Sequence, residues 1–201
     1  MKKRAIRKYA IEAFLIVFSV LLALFLNKVF ENQKINEQER VAKESLVREL
    51  THNLRVTKDI LRLHKNILTR LDSAKDLPDS GLEHLFPNQR LDLARLIGGE
   101  SLMKELLTST GWETARSTGI IAEFDYSEVE NLTKVYTLQD VVLNKTLAGI
   151  VEVLFRTETH DPANIEATLL QLRLRFNELV GQENILVSIY EEAVKDLRKQ
   201  P

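Results

Sequence analysis

Residues 9–30, YAIEAFLIVFSVLLALFLNKVF, decide how the chain has to be read. From Ala13 to Leu26 only Ser19 is polar. A run of that length by itself suits three objects: a buried core helix, the apolar part of a secretion signal, or the centre of a membrane span. Its flanks separate them. Counted from Tyr9 to Phe30 the segment has 22 residues, about 33 Å of helix at ~1.5 Å per residue, against a hydrocarbon core of ~30 Å. Glu12 and Lys28 then fall near the two boundaries, where a charged head reaches water, and Tyr9 and Phe30 lie at interfacial depth. Signal cleavage needs small residues just after the run, where Leu26, Asn27 and Lys28 stand instead. The flanks favour an uncleaved transmembrane anchor over residues 9–30.

Charge orients this anchor. Lys2, Lys3, Arg4, Arg7 and Lys8 precede the run; residues 1–30 carry +5, leaving −6 for the rest of a chain whose net charge is −1. Basic residues stay on the cytoplasmic side of a membrane helix. Residues 1–8 are therefore expected as a cytoplasmic tail, and residues 31–201 outside the cytoplasmic membrane, in the periplasm if the cell is Gram-negative.

The spacing Glu12-AFLIVFSVLLALFL-Asn27-KVF-Glu31 resembles a family of uncharacterised small bacterial single-pass membrane proteins. These begin with a basic tail, then a Glu, an aliphatic run, an Asn fifteen residues on and an acid four beyond. Where the family often has Gly, Gln and Trp, this chain has Ser19, Phe25 and Val29, and a vaguer likeness surrounds Trp112 to Gly119 and Tyr136. The resemblance implies the anchor and puts no chemistry on any residue.

The 201 residues allow one domain with an appendage. Apolar residues at 44% and charged residues at 28% exclude wholesale disorder and a polytopic membrane protein. A net charge of −1 supplies no basic field to gather nucleic acid. The chain has no cysteine, which removes disulfides, thiolate metal sites, iron–sulfur clusters and cysteine nucleophiles.

No Gly or Pro occurs before Pro78, so nothing in the sequence stops the membrane helix at the bilayer surface. Residues 31–45, ENQKINEQERVAKES, hold too few apolar positions for a core face and read as a helical stalk. From residue 46 an extracytoplasmic bundle is expected. Leu50, Leu54, Thr57, Leu61, His64, Leu68 and Leu71 alternate by fours and threes, beside a second seam of Val56, Ile60, Leu63 and Ile67. Asp72 to Arg90 reads as a loop with a turn of helix around Leu82 to Phe86. Short helices are expected over Leu91 to Ile97, Glu100 to Thr110 and Trp112 to Thr118, each closed by glycine. Asp125 and Glu128 have capping-box spacing before a helix expected from Tyr126 to about Glu158. His160-Asp161-Pro162 supplies a turn, an N-cap and a first-turn proline before a last helix to Arg198 with a continuous 3-4 apolar line. The expected fold is all-α: a transmembrane helix continuing into an elongated antiparallel bundle of three long helices plus short ones.

Candidate chemistry is thin. Glu49-Leu-Thr-His52 has the Glu-x-x-His spacing of carboxylate di-metal bundles, but such sites need a second copy and the chain has none; both residues read as solvated flanks. His52, His64, His84 and His160 are scattered, which leaves no zinc triad, and His64 on the apolar stripe reads as a hydrogen-bonded core residue. Gly98-Gly99 reads as a helix cap. No phosphate-binding loop, dinucleotide fingerprint or nucleophile elbow is present, so no catalytic residue, metal or cofactor is expected. Trp112, with Arg116 one turn on, is the candidate interaction patch, although one Trp near a helix end more often packs than binds. Ser19 and Ala23 form a small-xxx-small pair that lets two anchors approach. The expectation is a non-enzymatic, membrane-anchored protein presenting an extracytoplasmic bundle to another envelope protein or to itself. The alternative is an extracytoplasmic ligand-sensing bundle working with a partner subunit.

Overall fold

A computed structural model describes residues 2–75, 85–87 and 90–199, with the backbone alone for residues 2–11, 13 and 75. Every element among them is helical. Helix α1, Lys2–Lys75, runs unbroken for 74 residues, about 110 Å at ~1.5 Å per residue. Its sequence contains no Gly or Pro to break it. Between the apolar run and the core the polar stretch holds itself with local ion pairs, Arg40 to Glu37 and Glu44 and Lys43 to Glu39, at the spacings where helical side chains meet.

Burial begins at Lys43 and Leu46. Above that point α1 buries Leu50, Val56, Ile60, Ile67 and Leu71, chiefly against the last helix. The other elements are α2 (Leu93–Ile97), α3 (Thr110–Ser117), α4 (Tyr126–Asp140), α5 (Ala148–Phe155) and α6 (Ile165–Arg198). Polar partners on α6 descend as α1 ascends. Lys58 meets Glu191 at 2.6 Å, His64 meets Glu183 at 2.7 Å, Lys65 meets Asn184 at 3.2 Å and Asp72 meets Arg173 at 3.8 Å.

Local signals act where the residues demand. Gly98 ends α2 in the left-handed region at φ 87°, and a Cβ there would strike the Arg70 guanidinium. Asp125 and Glu128 close a capping box on α4. The Asp161 carboxylate accepts from the Ala163 N–H behind Pro162.

Two sequence expectations differ from what forms. Residues 101–109 are an irregular strap instead of a helix, and side chains of α1 take up its backbone groups, as described below. The helix from Tyr126 ends at Phe155 and contains a π segment, Val141–Leu147, between α4 and α5. Buried Val142 and Leu147 are five residues apart, a spacing that a wider π turn accommodates and a straight α-helix does not. The turn expected around Leu82 to Phe86 falls largely outside the described residues.

Candidate functional site

The patch around Trp112 is built from α1 outward. Glu49 projects from α1 to the first turn of α3, where its carboxylate accepts from the N–H groups of Gly111 at 2.8 Å and Trp112 at 3.4 Å. A negative charge there meets the positive end of the helix and two otherwise unpaired donors. The same carboxylate accepts from the Tyr136 hydroxyl at 2.5 Å. Trp112 lies flat on the Tyr136 ring, centroids 5.2 Å apart and planes within 5°, and the Arg116 guanidinium sits 5.7 Å from the indole. The indole is only 7% exposed, so the outward part of the patch is Arg116 and the rims of α3. Helix α3 stands between two open grooves of about 690 Å³ each. One faces the stalk, at Ile35, Val41 and Thr114; the other faces α4 and the π segment, at Val129, Leu143 and Asn144.

Below the patch a ladder of buried polar groups follows α1. Asn53 is buried and pairs with the strap as a strand would: Thr108 N–H donates to its Oδ1 at 3.0 Å and its Nδ2 donates to Thr108 O at 2.7 Å. Since an N–H only donates, the orientation of this amide is determined. Gln139 Oε1 receives Asn53 Nδ2 and the Tyr190 hydroxyl, at 3.2 and 2.6 Å. One layer further along, His64 and Glu183 are both fully buried. The His64 Nε2 lies 3.0 Å from Leu102 O and its Nδ1 lies 2.7 Å from Glu183 Oε1. A carbonyl only accepts, so Nε2 carries a hydrogen, and the Nδ1–Oε1 contact holds one further proton between the two groups.

Burial sets the titration of this ladder. It pushes the Glu183 carboxyl above the usual carboxylate range, against the opposing pull of His64. It pushes the Tyr136 phenol far above its ordinary value, with the Glu49 carboxylate adding to the effect, and raises Tyr190 in the same direction. At Lys43 burial disfavours the ammonium, yet hydrogen bonds to Glu128 and Glu39, both at 2.8 Å, outweigh it and raise the pKa.

The residues singled out in sequence distribute as follows. Glu49 and His52 are not solvated flanks: Glu49 caps α3, and His52 Nε2 lies 3.4 Å from Leu106 O on the strap. His64 is a hydrogen-bonded core residue. Ser19 turns its hydroxyl back to Leu15 O at 2.7 Å, which satisfies it within the helix. Ala23, Asn27 and Phe30 are exposed, as is Glu12. Tyr9 and the cluster Lys2, Lys3, Arg4, Arg7 and Lys8 have side chains outside the described residues. No three His, Asp or Glu side chains converge as a metal site among the described residues. Sequence reasoning missed Asn53, Gln139, Tyr190 and Lys43. The available signal was polar residues at core positions of an apolar stripe, which Thr57 and Gln139 already display.

Compared with known protein families, with curated proteins and with solved structures, the chain matches none.

Proposed function

We propose that the chain is a single-pass membrane protein with its N-terminus in the cytoplasm. Its stalk then carries an elongated antiparallel bundle outside, which works without catalysis by binding protein. One observation carries this reading. Helix α1 has a window with mean hydropathy 2.1, none of it buried within the protein, and the same helix continues into a packed core. Phe14, Ile16, Leu21, Leu24 and Phe25 are each at least 60% exposed. In water those side chains would forfeit the ~25 cal/mol per Å² that apolar burial returns, whereas a bilayer covers all sides of a helix at once. The descending order of α6 partners along α1 supports the antiparallel arrangement, and the basic residues before the run support the orientation.

The grooves flanking α3 support a second reading, ligand sensing with a partner subunit, since their size lies within the range of ligand pockets. Carbonate washing of native membranes tests the anchor, and full-mass protein in the supernatant overturns it. A reporter fused at Pro201 tests orientation, and activity confined to the cytoplasm reverses it. Crosslinking in intact membranes followed by mass spectrometry tests the interaction. A protein captured through α3 or α6 supports the leading reading; no protein capture together with a ligand-induced melting shift favours sensing.

A further inference from the structure

The outward face of α6 is organised as a second seam, opposite the core. Ala167, Leu170, Leu174, Asn177, Gly181 and Ser188 are all exposed and recur at threes and fours, with one step of seven. No charged residue lies on this line over 22 residues, about 32 Å of helix. Leu170, Leu174 and the flanking Ile185 are 49%, 57% and 57% exposed. Gly181, in the middle of a 34-residue helix, has no described atom beyond its chain neighbours and its own helix backbone within 4 Å of where its Cβ would stand. A mid-helix glycine costs about 1 kcal/mol relative to alanine, and no packing within the chain explains it. An approaching helix does, because a missing Cβ lets backbones come close.

We propose that this face binds the same face of a second copy, parallel and in register. The inference rests on the anchored reading, which supplies the direction: two copies in one membrane enter it the same way, so their α6 helices run parallel about an axis along the membrane normal. In that arrangement each residue on the line meets its own twin, and any charge there would meet its like. The outward faces of the other long helices fail this condition. That of α1 carries Arg55, Lys58 and Arg62, and that of α4 carries Glu130 and Lys134. The α6 line meets it along its whole length.

The flanks are complementary as well. With Leu170, Leu174, Asn177 and Gly181 at the seam positions of a heptad, each residue on one flank faces the residue five further on in the partner. Arg173, which also lies 3.8 Å from Asp72 of its own chain, then faces Glu178 of the second copy, and Val180 faces Ile185. Asn177 against Asn177 fixes the register in the way a single polar seam residue does in parallel coiled coils. Two leucine layers with an asparagine and a glycine form a weak seam by themselves. Confinement to one membrane supplies the effective concentration that holds it together.

The chain has no native cysteine, so single cysteines report proximity without background. Full-length Leu174→Cys, Gly181→Cys and Ser188→Cys are oxidised in native membranes beside Thr69→Cys and Thr133→Cys, which sit on exposed faces of α1 and α4. The seam positions are expected to give disulfide dimers and the two controls none. In the Ser188→Cys background Arg173→Glu is expected to lose the dimer, and adding Glu178→Arg to restore it, an outcome that a merely destabilised fold does not produce. Carbonate washing precedes the assay: variants found in the soluble fraction sink the anchored reading and this inference with it. If the protein stays in the membrane and Leu174→Cys crosslinks no better than Thr69→Cys, or Ser19→Cys crosslinks alone, the inference fails and the anchor stands.

Discussion

Helix α1 contains two apolar regions that meet opposite fates. Residues 14–26 are apolar on every side apart from Ser19 and all exposed, with Phe14 at 67% and Leu22 at 45%, while Leu46 and Leu50 further along the same helix are at 0%. Hydrophobic content separates them, since 14 of the 17 residues 14–30 are apolar against 12 of the 29 residues 46–74, and so does the pattern. An apolar stripe beside a charged face can be covered by two neighbouring helices and still leave a wetted side, whereas a helix apolar all round needs cover on all sides. The packed half also carries Asn53, Thr57 and His64 at core positions; Asn53 and His64 are answered by other elements, which specifies what may pack there.

The sharpest way to test that separation is the buried pair. His64→Ala leaves Glu183 buried without its partner and is expected to cost about 3–5 kcal/mol, read as a large drop in the melting temperature of the domain with membrane retention unchanged. His64→Leu with Glu183→Leu is expected to recover most of the loss, since removing both members of a buried pair is often neutral. Next in size, Leu22→Arg places a charge near the centre of the span at about 2.5–3.5 kcal/mol against insertion. The washed membrane fraction should fall while domain melting does not move. A melting drop as large as that of His64→Ala would show that the two halves of α1 are one cooperative unit, and would break the comparison.

Asn53→Leu removes both hydrogen bonds that Asn53 makes to Thr108, leaving Gln139 Nε2 on the Thr108 carbonyl at 3.3 Å, and is expected to cost about 1–3 kcal/mol. Faster amide exchange at Thr108 and through the strap would localise the loss. The smallest effect at neutral pH is the ionisation of the two buried phenols. Their pKa values are raised in the folded state, so folded protein keeps protons that the unfolded chain releases above its ordinary tyrosine pKa of about 10. Below that pH nothing is lost; above it stability falls as pH rises. Tyr136→Phe and Tyr190→Phe should flatten the alkaline decline measured by circular dichroism, and an unchanged slope would put the sensitivity elsewhere.

Much of the fold was legible because its signals are local. The all-helical class followed from 3-4 apolar periodicity, the cap of α4 from Asp125 and Glu128, the end of α2 from Gly98 and the turn that leads into α6 from Asp161-Pro162, although α6 itself begins at Ile165. The strap was not legible. Residues 100–110 have ordinary helical propensity, and what unwinds them is an offer of hydrogen bonds from Asn53 and His64, some forty to fifty residues earlier in the chain. The π segment escaped for a related reason, since two consecutive steps of four around Leu143 fit an α-helix as written and reveal a wider turn only when Val142 and Leu147 are both buried. At the candidate site Trp112 and Arg116 were found by residue type, but Glu49, which caps α3, was passed over because its neighbours in sequence are not its neighbours in space.

Sequence by itself determined that no Gly or Pro breaks the chain before Pro78, that residues 13–26 are apolar on all sides apart from Ser19, and that the remaining helices each carry one stripe, because propensity and periodicity act within a few residues of chain. The tertiary structure alone decided which polar residues on those stripes answer one another, that residues 101–109 lie as an irregular strap along α1, and that the outward seam of α6 is left uncovered. These depend on distances between residues far apart in sequence, which no local pattern encodes.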